Sequence, residues 1–300
     1  MIPLFPDFKK IELTDKKDIE KFTSKFPPYS DFNFFSMWIW NIHNGILISQ
    51  LNKNLIVVFN DYMSGKHFLS FVGENKISET VSELIAFSKK KYNVDSIRLI
   101  PEEIVNVISK SEFKIETDRD SYDYIYSLAN LSNMNNWSQN TSGKGIRRFI
   151  KSNPNYFVKR FSLDDAPKEE FKKLFKKWAE NRNVDDHFEL NEYKAFERLL
   201  KIENSDIKFL ALFVDDVLIG FTVYEILSNN FVTSHFAKAD IKHYKAIYDV
   251  LNWEEAKLLN KKGIKYFNWE QDLGMKGLRY TKEKYKSSFF LKKFTISSLI

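Results

Sequence analysis

From residue 207 the chain alternates compact apolar runs with short polar breaks. IKFLALFV (207–214) is followed by Asp215-Asp216, VLIGFTVYEIL (217–227) by Asn229-Asn230, and then comes FVTSHFAKA (231–239). Runs of this length bounded by Asp or Asn pairs predict an antiparallel meander with tight turns. In HYKAIYDVLNWEEAKLLNKK the period changes: Tyr244, Ile247, Tyr248, Leu251, Leu258 and Leu259 recur at helical spacing, and Gly263 marks the stop. A last apolar run, IKYFNW (264–269), predicts the strand after that helix.

The first half shows the same succession. GILISQL (45–51), a turn at Asn52 to Asn54, LIVVFN (55–60) and HFLSFVG (67–73) predict a meander, SETVSELIAFSKKKYN a helix, and DSIRLIP (95–101) a strand. Helices are expected before each meander, at about 14–25, 32–43 and 167–182. The expectation is an α/β (α+β) chain of two halves, 1–130 and 131–300, with mixed sheets flanked by helices. Between them, 132–145 is rich in Ser, Asn and Gly and predicts a loop. KGIRRFIKSNP then predicts a short basic helix ended by Pro154, and SYDYIYSL (121–128) a strand open to either sheet.

The last strand changes character at its end. KYFNWEQDLGMKGLRYTKEKYK (265–286) places Glu270 and Asp272 two residues apart, so on a continuing strand both face one side. Gly274 and Gly277 suit a turn with close backbone approach. Arg279 can grip a carboxylate or phosphate with two parallel hydrogen bonds, whereas Lys282, Lys284 and Lys286 act as point charges.

Composition narrows the chemistry. Cysteine is absent, which excludes disulfides, thiolate metal sites and a Cys nucleophile. No two histidines have metal-ligand spacing, and no Ser-His-Asp arrangement stands out, so no metal is expected. No segment approaches the ~20 apolar residues that cross a bilayer, and the expected location is cytoplasmic, with peripheral membrane contact open. The net charge of +6 is concentrated: residues 141–182 hold 12 Lys or Arg against 5 acids. Such a segment suits nucleic acid, anionic lipid or phosphorylated ligands, or is a solvated helix face.

Three stretches, PPYSDFNFFSMWIWN (27–41), DRDSYDYIYSLANLSNM with the basic KGIRRFIK, and SHFAKAD with IKYFNWEQDLGMKGLRYTKEKYK, resemble the C-terminal catalytic domain of bacterial phosphatidylglycerol lysyltransferases. The resemblance runs through nearly the whole chain in the same order. It implies a tandem pair of GNAT-like domains, related to Fem-type aminoacyltransferases. It also implies transfer of an aminoacyl group from aminoacyl-tRNA to an amine or hydroxyl of a lipid head group or small molecule. Two positions depart from the family pattern: Ala237 stands where an acid is usual, and Ser287 where a proline follows the last Lys.

Such a transferase needs a base, an oxyanion donor and a grip on a polyanionic donor. The candidate catalytic residues are Glu270, Asp272, His235 and Tyr285, although a hydrogen-bonded core histidine is the stronger reading of His235. Lys238, Asp240, Asn268, Arg279, Lys282 and Lys284 are the candidate substrate or donor ligands. Lys144, Arg147, Arg148, Lys172, Lys173, Lys176 and Lys177 are the candidate tRNA or anion contacts. No bound cofactor is expected, aminoacyl-tRNA being the co-substrate.

Two rival readings remain. One is an acyl-CoA-dependent N-acyltransferase, although ADIKHYKAIYD lacks the glycines that cradle a pyrophosphate at a helix N-terminus. The first half offers only Gly73 at the matching place and reads as a non-catalytic copy. The other rival is a non-catalytic protein of the same fold that binds RNA or an anionic membrane.

Overall fold

The computed structural model describes residues 1–61, 65–133, 141–181, 187–203, 205–227 and 230–299. In chain order, β1 (Lys9–Lys10), α1 (Lys16–Thr23) and α2 (Phe34–Trp40) precede β2 (Leu47–Leu51), β3 (Asn54–Asn60) and β4 (His67–Val72). Next come α3 (Ile77–Tyr92), β5 (Ser96–Pro101), α4 (Glu102–Val105), β6 (Phe113–Thr117), β7 (Asp123–Ser127) and α5 (Leu128–Ser132). They are followed by α6 (Thr141–Ser152), β8 (Tyr156–Ser162), α7 (Lys168–Asn181), α8 (His187–Leu199), β9 (Lys208–Val214), β10 (Val217–Ile226) and β11 (Phe231–Ala239). The chain ends with α9 (Ile247–Lys261), β12 (Tyr266–Asn268), α10 (Lys276–Glu283), β13 (Phe289–Leu291) and β14 (Lys293–Ser298).

Two compact units share these elements. One comprises residues 1–124, 270–282 and 290–300; the other comprises 125–269 and 283–289. Compared with a division at 130, the first unit also takes in two C-terminal segments, and SYDYIYSL carries the chain from one unit into the other.

In the first unit β1 to β4 form an antiparallel sheet in sequence order, and β5, β14 and β6 form a second, with β14 in the middle. Phe294 of β14 pairs with Ile100 on one side and Thr117 on the other, so the end of the chain completes a sheet begun near residue 96. The run LIVVF in β3 is buried throughout, as expected for a strand covered on both faces. α3 buries Val81, Leu84, Ile85 and Ser88 at helical spacing and ends on Asn93 in the left-handed conformation.

The second unit is built on the seven-stranded sheet β13-β7-β12-β11-β10-β9-β8. Asp215 and Asp216 take φ of 48° and 64°, the paired left-handed conformation that closes a two-residue hairpin. The turn expected at Asn229-Asn230 includes Asn229, which lies outside the described residues. α7 lays Phe171, Leu174, Phe175 and Trp178 on the sheet, with the Phe171 ring stacked 4.6 Å from that of Phe209. Removing such a ring costs about 3–5 kcal/mol, so this cluster anchors the unit.

Strand, meander and helix therefore occur in the expected order in both halves, but the pairing differs. β12 runs parallel to β11 in one sheet, whereas β5 pairs with β14 in a sheet separate from β4. Among the described residues no helix is long and apolar enough to cross a membrane.

Candidate active site

β12 stops at Asn268, and the expected continuing strand does not form. Glu270, Leu273 and Gly274 take φ of 57°, 53° and 71°, so the acids sit on a tight left-handed loop rather than on alternating strand positions. Gly274 is required there: a Cβ would lie 2.7 Å from a carboxylate oxygen of Asp120, on top of the backbone strain. The loop delivers the chain into α10, in which Gly277 faces open space.

Within the first unit the loop is held by charge. The fully buried Asp272 carboxylate accepts hydrogen bonds from Arg279 Nε and Nη2 (2.8 and 2.7 Å), Tyr124 Oη (2.7 Å) and the Gly274 N–H (2.9 Å). Arg119 Nη1 lies 3.4 Å away. Burial pushes this carboxyl up, but the guanidinium, phenol and amide donors outweigh it and hold Asp272 below the ordinary range. Arg279 also donates to Asp120 Oδ1 at 2.6 Å. A carboxylate with this many donors orients its neighbours; it has no lone pair left over for proton abstraction.

Glu270 differs. Its half-buried carboxylate accepts a long hydrogen bond from Ser36 Oγ, at 3.4 Å, and lies in the field of Lys282. Lys282 is buried, donates to the Gln271 carbonyl, and sits 5.7 Å from the centre of the Tyr124 ring. Desolvation lowers its ammonium to about 8, against the pull of Glu270, Asp123 and Asp272. The Gln271 side chain donates to Asp31 Oδ1 at 2.9 Å. Asp31 in turn shares the buried Lys293 with Asp123, whose Oδ1 is 2.7 Å from the ammonium. Burial raises the Asp31 carboxyl, while the two acids raise Lys293 against its own desolvation.

Sequence reasoning missed Asp31, Asp123, Lys293, Tyr124, Arg119 and Asp120. One signal was legible: Asp123 is a lone charge in the apolar and aromatic run SYDYIYSL, a pattern that foretells a buried, paired acid.

The other candidates belong to the second unit. Tyr285 and Lys284 both bind Asp249 in the first turn of α9, Lys284 at 2.8 Å, and burial together with Asp249 raises the Tyr285 phenol. His235 is buried on β11 with Nε2 3.6 Å from Glu225. Lys238 is buried, 2.7 Å from Glu192 and 3.8 Å from the Trp178 ring centre. Asp240 accepts from Lys177 (2.7 Å) and His243 (2.9 Å); burial raises it, and these donors overcome that and hold it low. Asn268 is buried and pairs with Thr233 and Ile125 in the ladder.

The basic helices separate into two kinds. On α7, Lys172 pairs with Glu169 at 2.7 Å, Lys177 with Asp240, and Lys176 lies 5.4 Å from the Tyr193 ring centre, while Lys173 is exposed. On α6, Lys144, Arg147 and Arg148 are all exposed. α6 abuts the start of α9: a Cβ on Gly145 would come 2.7 Å from the Ala246 Cβ and 3.8 Å from Asp249 Oδ2. Among the described residues no three His, Asp or Glu converge as metal ligands.

With this geometry in hand, the comparisons give a class and then a family. The fold recurs in a conserved protein of unknown function from Bacteroides thetaiotaomicron, with TM-score 0.82 and 23% identity over 100% of both chains. It also recurs in L-PGS from Bacillus licheniformis, with TM-score 0.60 and 14% identity over 99% of this chain and 94% of that one. FemX shares it at TM-score 0.57 and 9% identity, over 96% of each chain. A search of curated proteins finds no match. The sequence profile of the family "Phosphatidylglycerol lysyltransferase, C-terminal" matches residues 24–297, and the chain belongs to that family. Membership supports a transferase-type activity.

Proposed function

We propose that this chain is an aminoacyltransferase with a tandem GNAT-like ancestry, moving an aminoacyl group from aminoacyl-tRNA to an amine or hydroxyl acceptor. The observation that carries the reading is the division of labour on the 270–274 loop. Asp272 is saturated by Arg279, Tyr124 and Gly274, so it fixes the loop, whereas the half-buried Glu270 carboxylate has the Ser36 hydroxyl at 3.4 Å among its neighbours. Glu270 takes the proton from the acceptor as its nitrogen or oxygen attacks the ester carbonyl, and returns it to the ribose oxygen of the tRNA as the ester C–O bond breaks. The neighbouring Lys282 donates a hydrogen bond to the Gln271 carbonyl, which fixes the loop's path.

The tRNA donor is favoured over acyl-CoA by the start of α9. A CoA pyrophosphate would need open backbone N–H groups there. Instead Gly145 lies against Ala246, and the first turn carries the Asp249 carboxylate. The exposed Lys144, Arg147 and Arg148 of α6 supply phosphate contacts that do not depend on sequence.

The test incubates the protein with labelled mixed aminoacyl-tRNAs and a lipid and metabolite extract, beside a parallel reaction containing labelled acetyl-CoA. The reading expects label in a new product from the tRNA pool only. Product from acetyl-CoA alone would overturn it.

A further inference from the structure

β11 pairs with β12 only over Phe231–Thr233, opposite Tyr266–Asn268, whereas its pairing with β10 continues to Ala239. The two parallel strands thus part at Thr233. At the same place β11 carries a bulge. The register with β10 steps from Val223↔Phe236 to Tyr224↔Ser234, which leaves His235 as the extra residue. Bulges of this kind re-aim a side chain, and they concentrate beside active sites.

Three polar side chains meet there. Glu225 and Thr233 are directly opposite in the ladder and so project from one face. His235 Nε2 lies 3.6 Å from the Glu225 carboxylate. All three residues are buried, at 4%, 1% and 6% exposure, and the Thr233 hydroxyl oxygen has no hydrogen-bond partner. A buried hydroxyl left unmatched beside a buried carboxylate costs stability that a well-packed apolar pair would not. A ligand with several N–H donors and a positive charge recovers that cost.

We propose that Glu225, Thr233 and His235 form a receptor for a primary ammonium group. Its three N–H donors match a carboxylate oxygen, the Thr233 hydroxyl and a further acceptor, and its charge matches Glu225. This deepens the aminoacyl-transfer reading and rests on it for the origin of the ligand, because a primary ammonium is carried both by an aminoacyl donor and by an amine acceptor.

The experiment measures binding to the intact chain by NMR titration, with four probes: alanine methyl ester, N-acetylalanine methyl ester, ethanolamine and ethylene glycol. The expected result is that at least one ammonium probe binds ~10-fold or more tightly than its partner lacking the charge, as befits a charged hydrogen bond. Preference for the ester assigns the receptor to the donor, and preference for ethanolamine to the acceptor. Thr233→Val, nearly isosteric and safe for the fold, should weaken the ammonium probe several-fold, and Glu225→Gln more so, with the uncharged probes unmoved.

Equal binding of charged and uncharged probes, no binding of either, or a preference untouched by Thr233→Val would overturn the proposal. The two readings fail separately. Loss of transfer in Glu270→Gln with no ammonium preference sinks the receptor alone. Ammonium preference without transfer from any aminoacyl-tRNA sinks the transferase reading alone.

Discussion

Arg279 holds Asp272 with two nearly parallel hydrogen bonds, Nε at 2.8 Å and Nη2 at 2.7 Å, and the carboxylate it holds is fully buried. A lysine cannot reproduce that fork. Arg279→Lys keeps the charge but should lower unfolding stability by about 1–3 kcal/mol, read from urea denaturation at constant slope. Unchanged stability would show that charge alone secures the loop.

The same pair sets an acid limb. Asp272 is held below its unfolded range, so its contribution is present above the unfolded carboxylate value near 3.9 and is lost as pH falls through the folded one. Wild-type stability should therefore fall on acidification more steeply than that of Asp272→Asn. Parallel acid limbs for the two proteins would contradict the assignment.

Lys282 gives the opposite sign. Its folded value, about 8, lies below the ordinary lysine value of 10.5, so between these the unfolded chain binds more protons and stability rises with pH. Burying this ammonium is costly at pH 7, and the cost fades as pH rises through 8 toward 10. Lys282→Met should therefore compare better with wild type at pH 7 than at pH 10, while transfer activity falls because the Gln271 carbonyl loses its donor. Denaturation midpoints at the two pH values check this.

Glu255 on α9 is a second buried group outside the proposed chemistry. Desolvation raises its carboxyl to about 8 against a hydrogen bond from Thr222 Oγ1 at 2.9 Å. The folded protein then binds more protons than the unfolded chain between the ordinary carboxyl value and 8, so stability is lost as pH rises through that window. Glu255→Gln should resemble wild type near pH 5 and exceed it at pH 9. Identical pH profiles would mean that Glu255 is already ionised in the fold.

The exposed cations of α6 predict the salt response. Replacing Lys144, Arg147 and Arg148 with alanine should weaken tRNA binding and flatten its dependence on salt by about one unit of slope for each phosphate no longer neutralised. The corresponding changes at Lys172 and Lys177 should do less to binding and more to stability, because both already pair with acids of this chain. Filter binding across a salt series separates the two sets.

The meanders and the helices after them were legible because the strands are compact apolar runs, the helices keep a period near 3.6, and the turns are punctuated by Asp, Asn and Gly. The resemblance carried by residues 265–286 pointed to the family that the profile match then established. Other features were not legible, for physical reasons. Nothing local in FNWEQDLG announces that the strand ends at Asn268 and turns left-handed at Glu270, because Glu disfavours that conformation and tertiary contacts impose it. That Asp272 is also held by Tyr124, and that Tyr285 and Lys284 are spent on Asp249, depends on residues far apart in sequence. The placement of β14 between β5 and β6 likewise joins segments almost two hundred residues apart, beyond the reach of any periodicity.

The central claim is that Glu270, and not Asp272, takes the acceptor's proton. The direct measurement is single-turnover transfer from labelled aminoacyl-tRNA at several pH values for wild type, Glu270→Gln and Asp272→Asn, with folding verified by circular dichroism. The account predicts that Glu270→Gln loses ~100-fold or more in rate, as for removal of a general base, with tRNA binding and stability intact. Asp272→Asn should lose stability along with rate while keeping the wild-type pH–rate profile. Transfer at the wild-type rate by a folded Glu270→Gln protein would contradict it.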